Sequence, residues 1–200
     1  MKHLILSTVV AVTLISCGPS TKIVNTWMEP NASITQGPSN KTLVIAVVKD
    51  ESSRRIIEDQ LVKRLKGIGI ASYTMLPPDL LKDANESTVK QKLEEGRFTH
   101  LLVMRLGDIQ TETTYTPGTT TAYYGGYGRY YAHGAGFYST PGYYSTDKNY
   151  FVETTVYTVN PDKLVWTGST KTVNPSGMSK TVNEIADVVS DKMKKQGFLK

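Results

Sequence analysis

Few residues in this chain could do chemistry, and their spacing decides what each could do. The three histidines, His3, His100 and His133, stand far apart, with no second histidine or carboxylate at the intervals a metal site needs. No metal site is expected. Asp108 and Glu153 could serve as the acid and base of a hydrolase, but only if the fold carries them into one pocket. Glu58 with Asp59, and Glu94 with Glu95, fall on the outward faces of predicted helices, where a salt-bridged surface is the expectation. Ser176, Ser179 and Lys180 lack the Ser-x-x-Lys spacing and read as the start of a helix. Gly125-Gly126-Tyr127-Gly128 has no apolar strand before it, no lysine and no helix after it, so it is a turn rather than a phosphate cradle. No cofactor is expected. The remaining reactive group is the single thiol, Cys17.

Cys17 follows Leu14-Ile15-Ser16 at the end of a basic start and a short, uncharged apolar run. That is the layout of a secretory leader, too short to span a bilayer. Leu-Ile-Ser-Cys resembles the lipobox of bacterial lipoproteins. The resemblance implies removal of residues 1–16 and acylation of Cys17 as the new first residue. At about 0.8 kcal/mol per buried methylene, two or three acyl chains make such an attachment effectively permanent. Gly18, where an aspartate would retain a lipoprotein in the inner membrane, implies an outer-membrane address with the body in the periplasm. A thiol consumed by lipid leaves no disulfide, thiolate ligand or cysteine nucleophile, so the domain must hold by packing alone.

The formal net charge is +5, one less once Lys2 leaves with the leader. Mild basicity suits lipid headgroups or cell-wall polymer. Several of the cations, Lys63, Arg64 and Lys66 and again Lys192, Lys194 and Lys195, sit where helices are expected to end, and there they favour the helix dipole. An exported protein has no nucleic acid to meet, and none is expected as a partner.

These residues need a scaffold, and the hydrophobic pattern outlines one. Residues 17–40, rich in Gly, Pro, Ser, Thr and Asn, read as anchor and tether, with Trp27 expected to dock on the domain. A single domain is expected over 41–200. It opens with a β-branched run, Thr42 to Val48, of the kind that forms a strand covered on both faces. Asp50 or Ser52 can cap a helix over 54–66, with Ile57, Leu61 and Leu65 inward and Arg54 to Glu58 paired outside. A strand over 70–75, a helix over 87–95 and a strand over 99–106 follow, and that alternation predicts a parallel sheet. Tyr150–Val159 and Leu164–Val173 alternate on either side of Asn160-Pro161-Asp162, which predicts an antiparallel hairpin. A last amphipathic helix over 179–196, inward at Val182, Ile185, Val189 and Met193, closes at Gly197. The expected fold class is α/β, with α+β character in the second half: one mixed sheet covered by about three helices.

The segment over about 109–149 is compositionally unlike the rest. Tyr123, Tyr124, Tyr127, Tyr130, Tyr131, Tyr143 and Tyr144 stand among many glycines, and charges nearly vanish. It reads as a Tyr/Gly-rich loop inserted in the domain. A tyrosine offers a rigid ring with a polar tip, able to stack on sugar, pack on protein or sit at a membrane interface. Three readings stay open: a partly ordered extension of the sheet, a protein or glycan contact, and self-association through strand edges.

The lipobox, Asn25-Thr26-Trp27-Met28-Glu29-Pro30, Arg54-Arg55-Ile56-Ile57-Glu58-Asp59, Lys163-Leu164-Val165-Trp166-Thr167-Gly168 and the closing helix together resemble a family of uncharacterised bacterial envelope lipoproteins. The layout is also similar to the α/β domain of penicillin-binding-protein activators and of the curli secretion lipoprotein. That similarity implies partner binding rather than catalysis, and it carries no functional residue over. The expectation is a non-enzymatic outer-membrane lipoprotein, held to the membrane by Cys17 and meeting an envelope protein or cell-wall glycan through the tyrosine-rich segment. Two alternatives stand beside it: an envelope hydrolase using Asp108 or Glu153, and a self-assembling or glycan-binding surface protein.

Overall fold

A computed structural model describes residues 20–76, 86–123 and 136–200. Among them the chain forms one mixed six-stranded sheet, a separate two-stranded ribbon and three α-helices, so the α/β expectation holds.

The first surprise is at the N-terminal side. Thr21–Met28 is not tether but strand β1, antiparallel to the strand that carries Trp166. The domain therefore begins about twenty residues earlier than the composition indicated. Ile23 and Met28, opposite the buried Thr170 and Trp166, were the signal, hidden by a bulge between Ile23 and Asn25 that breaks the alternation. Trp27 is 45% exposed on this edge strand rather than docked in a core.

Strand β2, Thr42–Val47, is buried along nearly its whole length, as its unbroken apolar run requires. Asp50 then caps helix α1, Glu51–Arg64, its carboxylate accepting from the Ser53 backbone N–H at 2.7 Å. Strand β3 is short, Gly69–Ala71, and turns at once into a 3-10 turn over Ser72–Thr74. Helix α2, Glu86–Glu95, leads to strand β4, His100–Thr116. Two short strands, β5 at Thr119–Tyr123 and β6 at Gly136–Thr140, pair with each other. Strand β7, Tyr143–Thr158, and strand β8, Lys163–Val173, form the expected hairpin. Helix α3, Met178–Lys195, ends at Gly197, whose φ of +73° suits a residue without Cβ.

The order across the sheet is β1-β8-β7-β4-β2-β3. Strands β3, β2 and β4 are parallel, and β4, β7, β8 and β1 alternate in direction. One face packs on α1 and α3 around Trp166, Leu61, Ile185, Val189 and Phe198. The other is covered beside α2 by Leu43, Ile45, Leu93 and Phe98.

One charged pair lies inside. Arg54 and Glu58, expected on the outer face of α1, are 2% and 0% exposed. They recur at the same spacing as Leu61 and Leu65, so they share the helix's inward stripe. Glu58 accepts from the Ala46 N–H, Arg54 Nε, the Ser72 hydroxyl and the Tyr73 N–H. Arg54 also donates to the Leu76 carbonyl. The bonds to Ala46, Ser72, Tyr73 and Leu76 tie α1 to β2 and to the segment that follows β3, which makes the pair a structural clamp.

Candidate interaction surface: an arm and the groove at its root

Strands β4 and β7 are much longer than their neighbours. Their ladder continues from Ile109↔Tyr150 to Thr116↔Tyr143, whereas β8 stops at Val173, opposite Asn149. Beyond that level the two strands form an arm that no third strand among the described residues flanks. Threonine and tyrosine dominate it, and β-branched and aromatic side chains are those that favour an extended, half-solvated ribbon. Much of the segment expected to be a loop is therefore ordered strand. Within the described part of the segment, Gly118 and Gly142 lie where strand pairing lapses, so glycine content there marks a joint rather than a loop.

The first joint is symmetrical. Pro117-Gly118 lies opposite Pro141-Gly142, between the pairs Thr116↔Tyr143 and Thr119↔Thr140. Proline cannot donate to the ladder, so pairing lapses on both strands at once and resumes as β5–β6. A Cβ on Gly118 would come within 2.3 Å of the Thr140 carbonyl oxygen, and one on Gly142 within 2.3 Å of the Tyr115 hydroxyl. Only glycine fits either position without a shift.

The arm has two unlike faces. A bulge between Leu106 and Ile109 sets Gly107 and Asp108 against Phe151 and then restores the register. The side shared with the helices carries Ile109 and Tyr150, Thr111 and Lys148, Thr113 and Thr146, and Tyr115 and Tyr144. The opposite side carries Glu112 and Asp147 and, nearer the joint, Tyr143. These carboxylates are engaged: Asp147 accepts from Asn174 at 2.7 Å, and Glu112 from Asn149 at 3.2 Å.

Where the arm joins the body, its helix-side face runs into an apolar groove of about 320 Å³. Val48, Met104, Leu106 and Val152 form its floor, and Met178 and Ile185 of α3 form a wall. Leu106, Ile109 and Met178 are each about half exposed there. Exposed apolar surface continuous over a groove and an arm is the signature of a contact surface.

Of the tyrosines singled out from the sequence, Tyr143 and Tyr144 lie on this arm, both exposed. Tyr115, on the facing strand, joins them: its ring centroid is 4.8 Å from that of Tyr144. The backbone of Tyr123 ends β5, while the Tyr123 side chain, together with Tyr124, Tyr127, Tyr130, Tyr131 and His133, lies outside the described residues, as does Cys17. Asp108 accepts from Gln110 at 2.9 Å, and Glu153 pairs with Arg105 on the sheet surface; neither is among the residues that line the groove. His100 is buried at the start of β4, with the Thr99 hydroxyl 2.9 Å from Nδ1. Among the described residues no three metal-ligating side chains cluster, and no helix is long and apolar enough to cross a membrane.

No protein family and no curated protein matches the sequence. Among solved structures, the chain is similar to a PelC dodecamer from Paraburkholderia phytofirmans, at 12% identity over 85% of this chain and 95% of that one, with a TM-score of 0.45. It is also similar to a PDZ domain protein from Parabacteroides distasonis, at 10% identity over 88% of this chain and 35% of that one, with a TM-score of 0.32. Likenesses this distant carry no functional argument.

Proposed function

We propose that this chain is an outer-membrane lipoprotein, anchored through acylated Cys17, whose periplasmic domain binds a partner and catalyses no reaction. The arm and the groove at its root are the contact surface. The observation that carries this reading is the ribbon from Thr111↔Lys148 to Thr116↔Tyr143, which leaves the sheet with its rings exposed. Such a ribbon adds nothing to either core cluster. A fold that commits this much chain to an unsupported projection uses it for contact.

The test is crosslinking in intact cells, comparing the full chain with one in which residues 114–145 are replaced by a short Asn-Gly turn. Loss of the crosslinked species with the shortened arm is the expected result. An unchanged set of crosslinks would remove the arm from the function. Metabolic labelling with palmitate tests the anchor separately, and a chain that takes up no label is not a lipoprotein.

A further inference from the structure

We propose that the arm's partner is the bilayer that holds Cys17, with the helix-side face of the arm lying in the headgroup interface. The inference rests on the anchored reading above and names the partner of the same surface.

The argument is one of lengths. Ser20 lies at the arm end of the sheet: its carbonyl accepts from the Val173 N–H, and Val173 is level with Asn149. Cys17 stands three residues before Ser20. Fully extended, that link spans at most roughly 11 Å. From the level of Asn149 to Tyr143 the arm runs on for roughly 20 Å at the rise of a β-strand. The chain entering β1 comes from the same end of the sheet toward which the arm projects. An acylated Cys17 therefore holds the domain closer to the bilayer than the arm is long, and the arm must lie along or in its surface.

Chemistry selects the face. The helix side offers Ile109, Tyr115, Tyr144 and the threonine methyls, with Lys148 as its cation. Tyrosine rings sit favourably at the level of the headgroups, and a lysine there meets anionic lipid. The opposite face holds the carboxylates Glu112 and Asp147, drawn toward Asn149 and Asn174 of the body. Exposed Leu106 and Met178 at the root extend the apolar strip toward the domain. With a lysine on one face, two carboxylates on the other and hydroxyls on both, the arm suits the interface and not the hydrocarbon interior.

The test uses the full acylated protein in vesicles of phosphatidylethanolamine and phosphatidylglycerol carrying a headgroup-proximal doxyl quencher. Acylation consumes Cys17, the sole cysteine, so an introduced thiol takes the fluorophore alone. Tyr144→Cys and Thr146→Cys report from the arm, and Asp162→Cys reports from the β7–β8 turn at the opposite end of the sheet. Labels at 144 and 146 should lose about half of their emission or more to the lipid quencher, with the label at 162 unaffected, as expected for groups in the interface. If the protein floats with the vesicles and positions 144 and 146 are quenched no more than 162, the bilayer contact is wrong, the anchor stands, and the arm belongs to a protein or glycan. If the protein does not float, the anchored reading fails and this inference falls with it.

Discussion

Tyr115 and Tyr144 face each other across the arm, ring centroids 4.8 Å apart and planes tilted by 41°, and the hydroxyl end of Tyr115 occupies the space above Gly142. The pair and the glycine are one device: a missing side chain on one strand lets the ring lie flat against the next. Gly142→Ala would place its Cβ 2.3 Å from the Tyr115 hydroxyl and push the ring away. An aromatic cross-strand pair contributes about 0.5–1 kcal/mol. The expected outcome is faster amide exchange at Thr114, Tyr115 and Thr116 with no change in the global unfolding midpoint, since the arm belongs to neither core.

The same substitution at Gly168 should behave differently. Its Cβ would meet the Trp166 ring at 2.4 Å, and Trp166 is fully buried, stacked on Phe198 and donating to Gln196 at 2.9 Å. Tyr115 can swing into solvent, whereas Trp166 has nowhere to go. Overpacking of a close-packed core costs about 1–3 kcal/mol. Gly168→Ala is therefore expected to lower the urea midpoint clearly, and a midpoint equal to that of the parent would show that the ring has room to shift.

Glu58→Ala should be severe. It removes the acceptor of four hydrogen bonds and strands Arg54, 2% exposed, without its buried carboxylate. Breaking a buried pair from one side costs about 3–5 kcal/mol. Replacing both residues by apolar ones of similar volume, Arg54→Met with Glu58→Leu, should recover much of the loss, measured by the same denaturant titration. A double variant no better than Glu58→Ala would mean that the backbone N–H groups of Ala46 and Tyr73 need an acceptor there.

Burial holds the His100 imidazole below its ordinary value of 6.5. The unfolded chain then binds a proton that the folded chain refuses, so stability falls as the pH drops below about 6.5 and on toward the lowered folded value. Asp50, whose carboxyl is held below 3.8 by the Ser53 hydroxyl and N–H, acts in a lower window, losing its contribution only as the pH falls toward that range. Unfolding midpoints measured between about pH 7 and 5 should flatten in His100→Gln relative to the parent. An unchanged slope would assign that pH dependence to other groups.

How far the sequence spoke for itself varied with the kind of residue. The helices α1, α2 and α3 and the β7–β8 hairpin are legible within a few residues, because period and caps agree: Asp50 caps, Gly197 ends, and Val182, Ile185, Val189 and Met193 are buried as spaced. Strand β1 was hidden because an edge strand needs only half of its residues apolar, and the rest of Thr21–Met28 looks like linker. Arg54 and Glu58 were misread because charge argued for the surface while position argued for the core, and position won. The arm was hidden for a further reason. Its pairing joins residues 27 positions apart at Thr116↔Tyr143 and 37 at Thr111↔Lys148, and no local pattern distinguishes a Thr/Tyr ribbon from a polar loop until both strands are seen together. Tyr115, the partner of Tyr144, could have been found from its place in the run Thr113-Thr114-Tyr115-Thr116.

If the arm serves contact alone, the body should fold without it. Thr113 and Thr146 face each other with hydroxyls 3.3 Å apart, a level at which the ribbon can be closed by a two-residue Asn-Gly turn while keeping register. Every buried residue of both clusters lies outside the removed segment. The shortened protein should therefore unfold cooperatively at a urea midpoint equal to that of the full chain, with Trp166 reporting the same transition. A fall in the midpoint would show that the arm supports the sheet, and its exposed rings would then need a structural explanation in place of the contact proposed for them.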